Sequence, residues 1–277
     1  MADKVITDNK DSRNTDIIGN TENIRSTKNA GYIENIENTK NAGDTGNNEN
    51  TGNTGSVRDN TDNKSNRLSK LMPLLSACLG FAEIGVLTVF MALRLQDVSQ
   101  RIMAIAVVII YVSWLLLEMR ITAGEKGKEA APSDNKTLEM CVVAKFILIA
   151  LTLGFVRGIN TGNFIAAVVL MISGIAFREY AISNIGKHYS HRIREEGIHI
   201  VQDGAYGIIR HPAYLGTLVA HTGFVVGLFS PLALSGLLIW YAVVVYRTIV
   251  EDRCLIQLSE YQQYSRKVRY RLFPGIW

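Results

Sequence analysis

PAYLGTLVAHTGFVVGLFSPLALSGLLIWYAVVVYRTIVED, residues 212–252, is the stretch that decides the fold. It contains two apolar runs, 212–229 and 232–250, each close to the roughly 20 residues that a helix needs to cross a hydrocarbon core of about 30 Å. Only Ser230 and Pro231 separate them. Proline cannot continue a helix but suits the first turn of a new one, so the runs are expected to form an antiparallel helical hairpin. Its far end then returns to the level of its beginning, bringing Arg247 and Glu251 back to His211 and Tyr214. Arg247 and Glu251 are four residues apart and share one helix face.

Working outward, four more apolar runs precede the hairpin, at 71–93, 102–117, 138–156 and 164–182. Six crossings follow, the run at 102–117 being the shortest, and the fold class is an all-α integral membrane protein. Lys and Arg alternate between connections. Lys64, Arg67 and Lys70 precede the first run; Arg120, Lys126, Lys128 and Lys136 follow the second; Lys187, Arg192, Arg194 and Arg210 follow the fourth; Arg253, Arg266, Lys267, Arg269 and Arg271 follow the sixth. The intervening connections carry Arg94 and Arg101, then Arg157, then none. By the positive-inside rule both termini are cytoplasmic, and the fourth connection and the C-terminal tail share that side.

Residues 1–66 form a different kind of segment, rich in Asn, Thr and Gly and poor in apolar side chains. Such a chain cannot bury enough surface to offset the entropy of ordering and is expected to be a disordered arm. Within it TKNAGYIENIEN at 27–38 recurs as TKNAGDTGNNEN at 39–50, a low-complexity expansion with no apolar face to stack. The membrane domain is then 67–277, with its chemically capable core at about 180–277. Three scattered cysteines, Cys78, Cys141 and Cys254, suggest neither a disulfide framework nor a cysteine metal site.

All five histidines, His188, His191, His199, His211 and His221, fall between the fourth run and the middle of the fifth. They lack the tight ligand pairs of a zinc site, so no metal is expected, and His188 and His191 read as interfacial residues. A sharper signal is GAYGIIRHPAYLG at 204–216. Pro212 at the first helical turn leaves Arg210 and His211 just outside the helix and Tyr214 just inside. Free N–H groups and a positive dipole end thus stand beside a cation and an imidazole, an arrangement suited to an anionic group. Glu83, Lys145 and the Arg178–Glu179 pair, within the apolar runs, read as interhelical partners or as ends reaching the interface.

From Tyr189 to Trp277 the chain resembles the isoprenylcysteine carboxyl methyltransferases. The resemblance rests on Gly204/Tyr206, on Arg210-His211-Pro212-Ala213-Tyr214-Leu215-Gly216, on Arg247 with Glu251-Asp252, and on Tyr261-Gln262-Gln263-Tyr264 with Arg271-Leu272-Phe273-Pro274. It implies S-adenosylmethionine as cofactor, bound by His199, Val201, Tyr206, Arg210, His211, Pro212, Ala213, Tyr214 and Glu251. It also implies Arg247 and Glu251 as catalytic residues, Arg247 binding the substrate carboxylate. Two positions depart from the family pattern: His199 lies one place late in the upstream element, and Asp252 stands where the family carries a second glutamate. An ionised carboxylate is already a nucleophile, so alignment and water exclusion would supply most of the catalysis. The expected partners are an amphiphilic, prenyl- or lipid-like substrate and the bilayer, not nucleic acid. A related motif occurs in phospholipid N- and thiol S-methyltransferases and in NADPH-dependent sterol reductases, which the ending at 268–277 also resembles. These readings stay open beside carboxyl methylation, as does a non-catalytic membrane scaffold.

Overall fold

The structure, a computed structural model, describes residues 55–124, 134, 136–191 and 200–277. Among them are seven α-helices and no strand: α1 (Gly55–Arg94), α2 (Val98–Gly124), α3 (Thr137–Gly154), α4 (Thr161–Ile185), α5 (Pro212–Gly227), α6 (Pro231–Leu255) and α7 (Ser259–Lys267), with short 3-10 turns at Gly186–His188 and Gly204–Gly207. Helix α1 starts at Gly55, within the segment 1–66 read as the arm. Residues 56–72 contain neither Gly nor Pro, and the helix runs on through Pro73 into its apolar half. Residues 1–54 of the predicted arm lie outside the described residues, as does His199.

Five helices are long and apolar enough to cross a membrane, with spans at Leu75–Arg94, Val98–Ile121, Thr137–Gly154, Thr161–Ile185 and Pro231–Leu255. The chain is an integral membrane protein. The second span, expected to be short, is 24 residues long. Glu118 does not end it, because its charge meets a partner from α4 rather than water. The fifth predicted run forms a helix of 16 residues, about 24 Å, which is shorter than a hydrocarbon core. Its side chains are largely buried among its neighbours.

Packing inverts the pattern of a water-soluble bundle. Large apolar side chains such as Leu79, Val86, Ile109, Val143, Val169 and Leu238 point outward, where lipid would meet them. Small residues line the closest contact, between α4 and α5. A methyl group added at Gly174 would lie 2.5 Å from the backbone nitrogen of Ala220, and one added at Gly216 would lie 2.7 Å from the carbonyl oxygen of Gly174. With lipid on the outside there is no hydrophobic gain in pairing helices, so dispersion across closely approached backbones drives their association. Helix α6 packs chiefly on α3 rather than on α5. The hairpin turn is fixed locally: the Ser230 side chain caps α6 by accepting from the Ala233 N–H at 3.0 Å, with Pro231 in the first turn.

Candidate active site at the membrane end of the bundle

The sequence element preceding α5 folds as a 3-10 turn followed by an extended entry into the helix, with His211 at the N-cap position. The C-terminal tail holds this entry: the N–H groups of Arg210 and His211 donate to the carbonyls of Tyr270 and Arg271, both at 2.9 Å. Arg210 and His211 therefore cannot swing away, and their side chains converge on α6.

Two consecutive acidic residues on α6 have different environments. Asp252 is 5 % exposed and its carboxylate is filled. One oxygen accepts from Tyr261 Oη at 2.5 Å and meets His211 Nε2 at 3.1 Å; the other meets Arg271 Nε at 2.6 Å and Arg210 Nη1 at 3.0 Å. A carboxylate so committed is an anchor. The departure from glutamate at this position thus matches a structural hub: the shorter side chain holds the entry loop, α7 and the tail together. Glu251, with a side chain 27 % exposed, accepts from Tyr214 Oη at 2.7 Å through one oxygen and lies 3.9 Å from His211 Nδ1. It retains acceptor capacity toward solvent.

Arg247, 3 % exposed, lies one turn before Glu251. Its Nε donates to Tyr214 Oη at 2.9 Å, Nη1 donates to Thr137 Oγ1 at 2.6 Å, and Nη2 donates to the His191 carbonyl. The Asp134 carboxylate is 3.5 Å from Nη1. Tyr214 thus links the two charged groups, accepting from Arg247 while donating to Glu251, with its ring stacked on His211 at 5.8 Å. The hairpin reading predicted this meeting of α5 and α6, and the hydrogen bonds carry it out.

The other predicted positions gather on the same side. Tyr206 and Ala213 are buried in one cluster with Ala181, against which Val201 and Tyr189 pack, and Pro212 opens α5 beside them. Burial raises the Tyr206 phenol well above its usual range, so it is a neutral donor. The Tyr-x-x-Tyr motif of α7 serves both halves: Tyr261 binds Asp252, and Tyr264 Oη donates to the Tyr206 carbonyl at 2.7 Å. Arg210 has a buried Nε without a partner among the described residues.

A second ionic cluster borders this one. Arg178 of α4 and Glu118 of α2 form a two-pronged pair at 2.5 and 2.7 Å, and Trp114 Nε1 donates to Glu118 at 3.1 Å. Arg178 also donates to the Ala213 carbonyl at 3.1 Å and to Tyr189 Oη at 3.2 Å. The expectation that Arg178 is an interhelical partner holds, whereas Glu83 and Glu179 each keep a buried oxygen without a hydrogen bond among the described residues. His191, expected at a watery interface, instead sits 3.6 Å from Glu118 with its side chain 18 % exposed. Burial and then the Arg178 cation hold its imidazole down to about 4, so it is neutral at pH 7. His188 is exposed. Among the described residues no three His, Cys, Asp or Glu side chains are grouped to hold a metal ion. Thr137, Asp134, Tyr189 and Glu118 were missed as site neighbours. Glu118 lies at the end of the second apolar run, where a charge is ordinary and nothing local marks it as a partner of the site.

Residues 167–257 match the model of the isoprenylcysteine carboxyl methyltransferase (ICMT) family, and this segment contains α5, α6, Arg247, Glu251 and Asp252. Among similar proteins is protein-S-isoprenylcysteine O-methyltransferase B of Arabidopsis thaliana, 27 % identical over 178 residues, covering 60 % of this chain and 88 % of that protein. A probable protein-S-isoprenylcysteine O-methyltransferase of Oryza sativa subsp. indica is 31 % identical over 107 residues, covering 36 % of this chain and 56 % of its own length. The solved structure of the eukaryotic intramembrane Ras methyltransferase ICMT aligns over 73 % of this chain and 86 % of that one at 16 % identity, with a TM-score of 0.36, too loose for residue correspondence. With its motif residues assembled at one end of the bundle and the match spanning the helices that carry them, the chain is similar to the isoprenylcysteine carboxyl methyltransferase family over residues 167–257.

Proposed function

We infer that this protein is a membrane methyltransferase that moves a methyl group from S-adenosylmethionine to an amphiphilic acceptor, the carboxylate of an isoprenylcysteine-like molecule. The observation that carries this reading is the relay Arg247–Tyr214–Glu251, which sets a buried guanidinium and a partly open carboxylate one hydroxyl apart. A guanidinium is the side chain best matched to a carboxylate, which it can hold with two parallel hydrogen bonds. Asp134 lies 3.5 Å from that guanidinium, and an incoming acceptor carboxylate would take its place. The free oxygen of Glu251 suits hydroxyl or ammonium donors of the cofactor. Tyr206, Arg210, His211, Pro212, Ala213 and Tyr214 with Val201 would form the rest of its pocket, and His199 completes the set implied by the family.

When bound, S-adenosylmethionine supplies a methyl group on a sulfonium with a neutral thioether as leaving group. The chain's own residues then have three tasks. Arg247 would hold the acceptor carboxylate, Tyr214 fixes Arg247 and Glu251 relative to each other, and the apolar walls would exclude water. Placing two reactants in line is the largest contribution such a site can make. No proton has to move, because the attacking carboxylate is already ionised. The site and both termini face the cytoplasm in this reading, as the Lys and Arg distribution requires.

The test is donor binding and methyl transfer to N-acetyl-S-farnesylcysteine by the purified full chain. Glu251→Gln should weaken S-adenosylmethionine binding about tenfold or more, and Arg247→Ala should mainly raise the acceptor KM, each losing a charge-assisted hydrogen bond. Absence of donor binding combined with tight NADPH binding would replace this reading with a reductase.

A further inference from the structure

Arg247 stands between two carboxylates, each linked to it through a hydroxyl. On one side is Tyr214 with Glu251. On the other, Arg247 Nη1 donates to Thr137 Oγ1 at 2.6 Å, and the Thr137 hydroxyl donates to Asp134 Oδ1. The two sides differ in one respect. Asp134 Oδ1 also meets the guanidinium directly, 3.5 Å from Nη1, whereas Glu251 reaches it through Tyr214. One carboxylate oxygen thus occupies a seat made by a hydroxyl of α3 and a cation of α6. Thr137, Arg247 and Asp134 are all buried.

A seat that already takes one carboxylate defines what else fits it. A threonine hydroxyl has a single hydrogen, and Asp134 accepts it. Once Asp134 leaves, that hydrogen and the Arg247 charge stay buried without a partner, which is costly unless an anionic oxygen replaces the one that left. Exchange of one carboxylate for another conserves both the charge and the hydrogen bond. A neutral ester oxygen takes the Thr137 hydrogen but leaves the guanidinium uncompensated. Asp134 is also placed to leave. It precedes α3, whose first residue is Thr137, so its release unwinds no membrane helix. Lys136, between the two, has φ 57° and is the only non-glycine residue of positive φ among those described. That left-handed conformation is unfavourable for a residue with a Cβ and persists where neighbouring contacts over-determine the backbone. The contacts of Asp134 with Thr137 and Arg247 are such a constraint.

We propose that the seat formed by Thr137 Oγ1 and Arg247 Nη1 receives the acceptor's carboxylate, with Asp134 as its resident occupant, displaced by the acid and returning once methylation has made the acceptor a neutral ester. Thr137 is then an acceptor-binding residue. Asp134 sets specificity, because it excludes from the seat every amphiphile that brings no anion, the reaction's own product among them. This deepens the methyl-transfer reading and rests on it in taking Arg247 as the residue that holds the acceptor.

The experiment titrates the purified full chain in detergent with N-acetyl-S-farnesylcysteine and with its methyl ester, S-adenosylhomocysteine being present so that nothing turns over. The unaltered protein should bind the acid about tenfold tighter than the ester. Asp134→Ala should tighten the acid about tenfold further and change the ester less than about threefold. In the Asp134→Ala background, Thr137→Val should weaken the acid about tenfold, the loss expected of one hydrogen bond to a charged group. With Asp134 in place the same change costs less, since both rivals for the seat lose the same donor. A purely structural contact would instead weaken both ligands alike. Acid binding that is unchanged or weakened in Asp134→Ala overturns the proposal, as does a Thr137→Val change without effect in that background. Should Asp134→Ala not purify as a folded protein, Asp134→Asn keeps the shape and removes the charge. It should tighten the acid about threefold, and an unchanged affinity overturns the proposal. An unaltered protein without preference for the acid, or a preference that survives Arg247→Ala, removes Arg247 as the carboxylate's holder and this proposal with it. A preference that needs Arg247 but does not respond to Asp134→Ala removes this proposal alone.

Discussion

Replacing Asp252 with Ala removes a carboxylate that joins three other segments through four donors. Arg210 and His211 come from the entry to α5, Tyr261 from α7 and Arg271 from the tail, all within 2.5–3.1 Å of its two oxygens. Deleting one partner of a buried ionic group costs about 3–5 kcal/mol, because the remaining charges stay buried unpaired. The donors do not contribute equally. Arg271, with a side chain 35 % exposed, can turn to water and adds little, whereas Arg210 at 8 % and His211 at 5 % cannot. The lower half of that range, about 3–4 kcal/mol, is therefore expected. At 2–4 °C per kcal/mol for a chain of this size, Tm should fall by about 6–16 °C. Asp252→Asn, which keeps the shape and loses the charge, should cost roughly half as much. Thermal unfolding in detergent measures both, with Asp203→Ala as a control at an exposed position that makes no side-chain cap. S-adenosylmethionine binding should fall in parallel, since Arg210 and His211 lose their anchor. If Asp252→Ala shifts Tm no more than Asp203→Ala does, the carboxylate is not the hub described above.

Gly216→Leu should prevent α4 and α5 from closing, since even a methyl group there would sit 2.7 Å from the Gly174 carbonyl; loss of folded protein on size-exclusion chromatography is expected, and a normal elution profile would contradict the close packing. Glu118→Gln should destabilise the protein by about 3 kcal/mol by leaving Arg178 buried without its carboxylate, and in a double-mutant cycle with Arg178→Met the coupling should exceed 1 kcal/mol, as is usual for contacting charged groups. His191 gives a pH dependence. Its folded-state value, held near 4 by burial, lies below the unfolded 6.5, so the unfolded chain binds its proton first. Its contribution is full above about pH 6.5 and is lost as pH falls toward 4. Tm of the unaltered protein should decline across that window more than Tm of His191→Gln, and parallel curves would remove His191 from the account.

Periodicity and hydrophobic length alone placed the apolar helices, because in a bilayer every backbone group must be satisfied within its own segment and the apolar run then sets the element. The sequence also identified the meeting of His211 and Tyr214 with Arg247 and Glu251, since a short turn lets the second helix return to the level at which the first began. Local sequence could not reveal which helices pack. Adjacent runs in the chain, α5 and α6, are not the principal neighbours; α5 lies on α4 through Gly174 and Gly216, and α6 lies on α3. That choice depends on shape matching between faces far apart in sequence. It brings Thr137 to Arg247 across 110 residues, Glu118 to Arg178 across 60 and Lys145 to Trp240. The same distinction separates the two acidic residues of α6: side by side in sequence, Asp252 is turned into four donors while Glu251 keeps acceptor capacity toward solvent. Residue types and spacing determined that reactive groups would gather at one end of a membrane bundle. Only the tertiary packing decided which of them are satisfied by one another and which keep capacity for further partners, because a side chain's partners are set by the helices that close around it.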